Sequence, residues 1–403
     1  MKVGFIDNVW RMQTQSTQFL FDILTKNGIT VEPAWNDSWL DVQEIDFSSL
    51  IDQYDALIFF QCGPDTDAPY KVAPNLTLIP MLDSFGNDRL FHWNASSWSR
   101  FLGTKILHFS KALYCATTSH GIAGKYAQYF PNPEQFSVKE ANNELSGFFW
   151  QRTPKNINID TIKILIGDTQ FDKIHVHLAT DPGYDFININ DRDIARHNIT
   201  TSEWFPNRND LYDIMNENSV FFAPRTSEGI GMAFLEAMAM GKCVVAPNYG
   251  TMNEYIINGL NGLLYEHDNP QPLNYSRHKE LGKMARVSIE EGYKEWTSME
   301  SELIDFIMSP NKAVYRKIYH SGYNYEEEQA RNPHTQITEQ QTLIKEQNDI
   351  ISNQQTTINA LMSSTSWKIT KPLRCIFQAL KRTLRFCLPY AIVRYYQIKK
   401  YNQ

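Results

Sequence analysis

An apolar run, a glycine turn and an apolar helix follow one another in the second half of this chain, and this order constrains the fold more than any other part of the sequence. Residues 220–223 predict a buried strand, Gly229 and Gly231 open a turn, and residues 232–240 predict a helix that Gly241 ends. The free N–H groups and the dipole at such a helix start favour a phosphate or a sugar oxygen. The segment therefore predicts a site for an anionic, hydroxyl-rich ligand.

Glu236 is out of place on this helix, because the residues around it are apolar on almost every side. A carboxylate in such surroundings is costly to bury unless donors reach it, and two ribose hydroxyls would supply them. The alternative is a structural glutamate that meets Arg225, Lys242 or solvent, which is the usual situation of a lone charged residue on a helix. The sequence context favours the ligand.

Two glutamates and a following strand extend this motif. Glu228 and Glu236 are separated by seven residues, a strand is predicted at 243–247, and Glu254 precedes a glycine-containing turn at 259–262. This order resembles the family 4 retaining glycosyltransferases of the GT-B type, and among them the bacterial enzymes of surface-polysaccharide assembly. The resemblance implies that Glu228 contacts the hydroxyls of a donor sugar and that Glu236 binds the ribose diol of its nucleotide.

The same resemblance assigns further residues to the nucleotide-sugar site. It implies that Glu254 belongs to the donor site. It also implies that backbone groups of the glycine turn bind the sugar and the diphosphate; these belong to Gly229, Ile230, Gly231 and Met232.

Two cations after an earlier strand are candidates for the diphosphate. Retaining transfer can proceed by front-face attack within an ion pair, so positive groups must contact the leaving phosphates. Arg152, just after the strand predicted at 148–151, matches the family's phosphate-binding arginine in position, and Lys155 is its candidate partner. A solvated loop cation is the alternative for each.

The first part of the chain departs from the family where acceptor-side residues are expected. The turn at 7–13 contains no glycine, and Asp83 stands at a strand end where the family commonly has a His–Asp pair. Asp83 is predicted to orient the reacting hydroxyl of the acceptor, and a helix N-cap or turn residue is the alternative. His92, His108 and His120 are further polar candidates, for which a structural role is the alternative.

Apolar runs alternate with helical stretches through most of the chain, which predicts parallel sheets covered by helices. The predicted strands lie at 3–6, 29–33, 56–60, 76–81, 106–109, 113–117, 147–150, 174–178, 220–223 and 244–246. We therefore predict an α/β protein of the GT-B fold, with a Rossmann-like acceptor-side domain at 1–140 and a Rossmann-like nucleotide-sugar-binding domain at 141–310 facing a cleft. The helical stretch at 285–307, with Trp296, resembles the helices that lead the GT-B chain back across the cleft.

The remaining residues predict an extension of a different kind. A polar linker is predicted at 311–335, and a coiled coil at 336–362 because an isoleucine recurs at every seventh position. These isoleucines are Ile337, Ile344, Ile351 and Ile358. The seam is half polar, so a single helix lying on the enzyme body is the alternative to a homo-oligomer.

Positive charge concentrates at the end of the chain. Residues 367–403 hold nine Lys or Arg and no acidic residue, whereas the first 366 residues hold 29 basic and 45 acidic side chains. Apolar residues among these cations predict a basic amphipathic tail at 363–403 that contacts an anionic membrane surface. Nucleic acid is the alternative partner, but no nucleic-acid recognition motif accompanies the charges, so no nucleic acid is predicted.

Composition limits compartment and cofactors. The five cysteines show no CxxC spacing, which argues for a reducing compartment and against structural zinc. No Asp-x-Asp ends a predicted strand, so neither a metal nor another cofactor is predicted beside the donor. The chain begins with a strand rather than a secretory signal and has no run of about 18 apolar residues. The expected location is cytoplasmic, peripheral at the inner face of the cell membrane.

Together these features predict a hexosyltransferase that moves a sugar from a nucleotide-sugar donor to a lipid-linked glycan or a growing polysaccharide such as an O-antigen or capsule, with retention of configuration. The altered first-domain motifs motivate one alternative, a non-catalytic GT-B scaffold in a polysaccharide-assembly complex. A second and less favoured alternative is a sugar-nucleotide epimerase of GT-B-like fold, which would not need a membrane tail.

Overall fold

The computed structural model describes residues 1–9, 11–36, 50–61, 73–85, 90, 92–139, 145–181, 183–319, 345, 347–349, 351–357 and 359–360. The chain divides into two compact units, Met1–Ser321 and Gly322–Gln403. Within the described part of the first unit, the strands form two separate parallel sheets, which confirms the predicted two-domain α/β fold.

The first sheet has the strand order β2-β1-β3-β4-β5-β6, and its neighbouring strands are all parallel. Its strands are β1 (Lys2–Asn8), β2 (Thr30–Asn36), β3 (Ala56–Phe60), β4 (Leu76–Ile79), β5 (Lys105–His108) and β6 (Ala123–Tyr126). The described helices of this domain are α1 (Arg11–Thr14), α2 (Gln18–Lys26), α3 (Ala95–Ser99) and α4 (Lys111–Thr118). Every residue of β3, β4 and β5 is buried, because helices cover a parallel sheet on both faces.

The second sheet has the order β12-β11-β10-β7-β8-β9, again with parallel neighbours. Its strands are β7 (Ser146–Trp150), β8 (Lys173–His177), β9 (Ile199–Ser202), β10 (Val220–Phe222), β11 (Cys243–Pro247) and β12 (Leu263–Tyr265). The helices are α5 (Ile159–Ile166), α6 (Asp191–His197), α7 (Arg208–Asn216), α8 (Met232–Ala239) and α9 (Met252–Tyr255).

Three consecutive helices return the chain to the first domain, as the resemblance implied. They are α10 (His278–Ser298), α11 (Glu300–Met308) and α12 (Asn311–Tyr319). The buried Trp296 ring of α10 packs against Phe19 and Tyr129 of the first domain, with ring centroids 5.8 and 5.2 Å apart. The Lys105 ammonium donates to carbonyl oxygens at the end of α11, 2.6 Å from Phe306 O. These contacts attach the end of the second domain to the base of the first sheet.

One predicted strand is wrong. Residues 113–117 lie in helix α4, whose buried positions Leu113 and Thr117 are four residues apart and face the core together. Short apolar runs carry no clear periodicity, and this run reads equally well as a strand or a helix. The sixth strand is β6 instead, and its sequence Ala-Gly-Lys-Tyr has little strand character.

The predicted linker also begins too early. Its first residues form helix α12, in which Val314 is buried. Asn311 Oδ1 accepts a hydrogen bond from Leu76 N at 3.1 Å, and Gly103 N donates to Tyr315 Oη at 3.0 Å. These contacts with the first domain order a segment whose polar composition alone resembles a linker.

The second unit is described only in part. Residues 345, 347–349, 351–357 and 359–360 are helical and exposed, and Ile351 is 60% exposed. The other isoleucines of the predicted seam, and the whole of the predicted tail at 363–403, lie outside the described residues, so the coiled coil and the tail stay predictions. None of the described helices combines the length and the hydrophobicity of a membrane-spanning segment.

Candidate functional site

A cleft of about 1320 Å³ lies between the carboxyl ends of the two sheets. In each sheet the strand order reverses direction at one place, between β1 and β3 in the first and between β7 and β10 in the second. Parallel α/β sheets bind their ligands beyond the strand ends at such switch points. Residues at or just after the carboxyl ends of these four strands line the cleft, among them Asn8, Gln61, Arg152 and Arg225. The cleft therefore joins the two expected ligand sites.

The glycine turn between β10 and α8 forms one wall of the cleft. Gly231, with φ of +85°, stands where α8 begins, and a residue with a side chain would be strained there. A Cβ atom on Gly229 would lie 2.7 Å from the sulfur of Met81, so only glycine lets the first domain approach this closely. The four residues predicted to bind through their backbone all line the cleft, and they are Gly229, Ile230, Gly231 and Met232.

Glu228 is a buried carboxylate that lines the cleft with only 8% of its surface exposed. No described residue donates a hydrogen bond to its side chain. Burial raises the pKa of Glu228, while the guanidinium groups of Arg225 and Arg152 oppose this shift. A carboxylate that is desolvated and lacks donors can accept hydrogen bonds from ligand hydroxyls at little further cost.

Glu236 also lines the cleft and is 5% exposed. Its Oε1 atom accepts a hydrogen bond from Tyr212 Oη at 3.0 Å and a charged hydrogen bond from Arg208. Burial raises the pKa of Glu236, and Arg208 and Tyr212 oppose the shift. Its partners are therefore neither Arg225 nor Lys242, the residues considered from the sequence, but two residues of α7.

Four charged side chains form a continuous chain across the cleft. Arg152 donates from Nε and Nη2 to Asp181 Oδ1, at 2.9 and 2.7 Å, and Arg225 donates to the other oxygen of that carboxylate. Arg225 also donates to Asp83 of the first domain at 3.3 Å. Burial lowers the pKa of Arg225, but neighbouring carboxylates, Glu228 first, outweigh it and raise the pKa. These ion pairs connect the predicted diphosphate site with the predicted acceptor side of the cleft.

The polar side chains on the first-domain side of the cleft hydrogen-bond to one another. Arg11 Nη1 donates to the buried Asp7 at 2.5 Å, and Arg11 also donates to the side-chain oxygen of Gln61. The Gln61 amide nitrogen lies 2.5 Å from Ser84 Oγ and 3.4 Å from Asp83 Oδ1. Gln61 has φ of +55°, a conformation uncommon for residues with side chains and concentrated at functional sites.

Asp83 lies in a 3-10 turn, Leu82–Phe85, at the end of β4. Burial raises the pKa of its carboxyl group, and Arg225 and Arg11 oppose the shift. The residue lines the cleft and pairs with Arg225, a cation of the second domain.

An aromatic wall closes the second-domain end of the cleft. The His177 ring stacks on Phe205 with centroids 5.1 Å apart, and Trp150 lies edge-on to His177 at 5.3 Å and to Trp204 at 5.8 Å. Burial lowers the pKa of His177 to about 4, so its ring is neutral near pH 7. This wall offers flat, uncharged surfaces to a planar group.

The structure does not bring every predicted residue to the cleft. Lys155 is exposed and lies outside the lining, with its ammonium 5.9 Å from the centre of the Tyr184 ring. Glu254 is also outside the lining, and its carboxylate accepts hydrogen bonds from Ser110 and Lys111 of the first domain. His92, His108 and His120 do not line the cleft either, and the fully buried His108 pairs with Thr117.

Sequence reasoning missed four charged or polar residues of this site. Arg225 was considered only as a partner of Glu236, and Asp181, Arg208 and Tyr212 were not considered as site residues. Arg225 lies three residues after the end of β10, and Asp181 lies four residues after the end of β8. Charged residues shortly after a strand end are a signal that the sequence carries.

Comparison with known proteins bears on the second domain first. Residues 189–276 match the family model described as Glycosyl transferases group 1. An uncharacterized glycosyltransferase of Methanocaldococcus jannaschii is 34% identical over 82 residues, which is 20% of this chain and 23% of that protein. The match thus spans well under two thirds of this relative, and it supports a glycosyltransferase domain around the glycine turn.

Solved structures extend the likeness to both domains. HepE from Anabaena, in complex with UDP and glucose, has 14% identity and a TM-score of 0.52, covering 76% of this chain and 100% of that one. Sucrose-phosphate synthase from Thermosynechococcus elongatus has 12% identity and a TM-score of 0.56, covering 80% and 100%. A glycosyltransferase from Rickettsia africae has 14% identity and a TM-score of 0.52, covering 80% of this chain and 99% of that one. The fold is therefore that of the GT-B glycosyltransferases.

Proposed function

We propose that this protein is a glycosyltransferase that moves a sugar from a nucleotide-sugar donor to an acceptor hydroxyl, with retention at the anomeric carbon. One observation carries the proposal. Glu228 is buried at the cleft, on a glycine turn that opens a helix, and no described residue donates a hydrogen bond to its carboxylate. Sugar hydroxyls supply the donors that this group lacks.

The other charged groups of the second domain suit the remaining parts of such a donor. In this proposal Glu236, oriented by Arg208 and Tyr212, accepts hydrogen bonds from the ribose. Arg152 and Arg225 contact the diphosphate, whose charge guanidinium groups match well. HepE is described in complex with UDP and glucose, so a uridine diphosphate hexose is the first donor to test here.

The reaction we propose needs no protein nucleophile. The bond from the anomeric carbon to the diphosphate oxygen breaks, and the acceptor oxygen forms a bond on the same face of the sugar. The acceptor proton passes to the departing diphosphate. The negative charge that develops on the leaving group is stabilised by Arg152 and Arg225, and Asp83 orients the acceptor hydroxyl from the other side of the cleft.

The first experiment is a donor screen on the full chain. UDP-glucose, UDP-galactose and GDP-mannose are tested for the rise in melting temperature that follows from binding the folded state alone, and the stabilising donor is then assayed for release of its nucleotide diphosphate. Glu228→Gln should lower turnover about 100-fold, or ~2.7 kcal/mol. Glu203→Gln, an exposed glutamate of the same domain, is the control. Unchanged turnover in Glu228→Gln would remove the site assignment.

The pH dependence of donor binding gives a second readout. Glu228 must be ionised to accept two hydroxyl donors, and burial raises its pKa. Affinity for the donor should therefore be fully present above this raised pKa and fall as the pH drops through it. An acid limb that remains unchanged in Glu228→Gln would belong to another group.

The alternative of a non-catalytic scaffold has one observation in its favour. The Glu236 carboxylate, which is predicted to bind the ribose, already accepts hydrogen bonds from Arg208 and Tyr212, so it is stable without a nucleotide. A scaffold would show no nucleotide diphosphate release with any donor in the screen, whereas release above the level of the Glu228→Gln variant excludes it. A sugar-nucleotide epimerase would instead convert the donor without an acceptor.

The acceptor and the membrane belong to the same proposal and rest on the sequence. We place the enzyme at the inner face of the cell membrane, where the basic tail contacts anionic lipid and the acceptor is a lipid-linked or growing polysaccharide. The coiled coil makes the protein a homo-oligomer. Replacing Lys381, Arg382 and Arg385 by glutamine should weaken sedimentation with phosphatidylglycerol vesicles while leaving donor affinity unchanged. Full vesicle binding by this variant would disprove the anchor.

A further inference from the structure

Thr251 has an unfavourable backbone conformation for its residue type. It lies just before α9 with φ of +73° and ψ of −50°, and it is completely buried. Positive φ is rare for any residue with a side chain, and a β-branched residue there is a genuine outlier. Glycine would adopt this conformation without strain, so the threonine side chain must offset its own cost.

The threonine hydroxyl does not serve the helix that it precedes. Threonine at such a position often caps the helix by accepting a hydrogen bond from an N–H of the first turn, but Thr251 makes no such bond. Its Oγ1 atom donates instead to the carbonyl oxygen of Glu228 at 2.5 Å and lies 3.4 Å from the carbonyl oxygen of Gly229. The hydroxyl is thus hydrogen-bonded to the backbone of the glycine turn and not to helix α9.

The segment around Thr251 is also fixed to the first domain on both sides. A Cβ atom on Gly250 would lie 2.2 Å from a methyl group of Leu82, next to Asp83. The Glu254 carboxylate accepts hydrogen bonds from Ser110 Oγ at 2.9 Å, from Lys111 N at 2.7 Å, and from further groups of the same surface, Ala112 N and Tyr126 Oη. One short segment therefore touches the acceptor-side domain at two points and the Glu228 turn at a third.

We propose that Thr251 is a positioning residue whose hydroxyl fixes the Glu228 turn against the first domain, so that Glu228 meets the donor sugar only when the two domains are in contact. The proposal rests on the proposed function, because it assigns the donor sugar to Glu228. It also explains two features together: the strained conformation of Thr251, and the position of Glu254 outside the cleft.

Two substitutions separate the hydroxyl from the branched shape. Thr251→Val keeps the shape and removes the hydroxyl, whereas Thr251→Ser keeps the hydroxyl and removes the branch. Affinities for UDP-glucose and for UDP are measured by calorimetry on the full chain. We expect Thr251→Val to bind UDP-glucose about tenfold more weakly and UDP within threefold, because UDP lacks the sugar. Thr251→Ser should bind both within threefold, because it keeps the hydroxyl that contacts the Glu228 turn.

A matched control is Thr77→Val. Thr77 is a fully buried threonine of β4 whose hydroxyl has no partner among the described residues, so its loss should change neither affinity. The proposal is overturned if Thr251→Val binds UDP-glucose within twofold of the unchanged protein, or if Thr251→Ser is as weak as Thr251→Val.

Amide hydrogen exchange separates this proposal from the proposed function. Exchange at residues 228–232 should be faster in Thr251→Val and unchanged in Thr251→Ser, whether or not a donor is bound. If the unchanged protein binds neither UDP-glucose nor UDP, the choice of donor fails, and the exchange pattern alone decides whether the hydroxyl holds the turn. Equal exchange in Thr251→Val and the unchanged protein overturns the positioning role.

Coupling to the first domain is tested by combining substitutions. Glu254→Gln weakens the contact with Ser110 and Lys111 without touching the cleft. If Thr251 transmits that contact to Glu228, the loss in UDP-glucose affinity for Glu254→Gln combined with Thr251→Val should be smaller than the product of the single losses. Independent, multiplicative losses would overturn the coupling.

Discussion

The two walls of the cleft are built differently, although both stand at the switch point of a parallel sheet. The second-domain wall takes Glu228 and Glu236 from one continuous turn and helix, and it leaves Glu228 without a donor from the described residues. The first-domain wall collects Arg11, Gln61 and Asp83 from separate strand ends, where Gln61 contacts both of the others and the buried Asp7 holds Arg11.

The difference shows which part of such a protein is general and which is particular to this chain. In the proposed function, the continuous segment with its backbone donors and carboxylate binds the nucleotide-sugar donor. The wall assembled from distant residues can vary one loop at a time, which suits its proposed role in acceptor recognition. Among the described residues, Arg225 links the two walls by ion pairs, to Asp83 on one side and to Asp181 on the other, so substitutions there test whether the walls act together.

The largest expected effect comes from removing the guanidinium of Arg225. Arg225→Gln removes the cation between Asp83 and Asp181 and leaves these two carboxylates and Glu228 near the proposed diphosphate site. Turnover should fall about 100-fold, or ~2.7 kcal/mol. Arg225→Lys should fall about tenfold, because an ammonium keeps the charge but cannot hold two carboxylates with the fixed geometry of a guanidinium. Melting curves of both variants control for loss of the fold. If turnover in Arg225→Gln stays within threefold of the unchanged protein, the two walls act independently.

A smaller effect is expected on the first-domain wall alone. Asp83→Asn keeps the shape of the side chain and removes its charge, so donor affinity should stay within about twofold. Turnover with acceptor should fall about tenfold, or ~1.4 kcal/mol, because in the proposed function Asp83 orients the acceptor hydroxyl. Asp52→Asn, an exposed aspartate of the same domain, is the control. An equal fall in donor affinity and turnover would place Asp83 on the donor side.

The contrast between the walls also explains what the sequence could predict. The order from Glu228 to Glu254 lies in one segment, and its strand, turn and helix were recognisable because each step obeys a local rule. Nine of the ten predicted strands coincide with strands of the two sheets, and the exception at 113–117 is a short run in which helix and strand periodicities are indistinguishable. The strands that were not predicted, β6, β9 and β12, are three or four residues long.

The site predictions that failed concern residues whose partners lie far away in the sequence. Glu254 sits in the motif but faces the first domain, since Ser110 and Lys111 lie more than 140 positions earlier and come near only in the folded chain. The pairing of Arg225 is not local either, because Asp181 lies in the loop after β8 and Asp83 lies in the first domain. No local pattern encodes such pairings.

Lys155 gives the smallest expected effect and the strictest test of the second-domain wall. It lies only three residues after Arg152, and both were predicted to bind the diphosphate, but only Arg152 lines the cleft. The exposed ammonium contacts the Tyr184 ring at 5.9 Å, an interaction worth about 0.5–1 kcal/mol at most on a surface. Lys155→Gln should therefore leave turnover within about twofold, measured beside Arg152→Gln, which should lower it strongly. A tenfold fall in Lys155→Gln would mean that the loop after β7 closes over the donor, and that the second-domain wall is completed by movement.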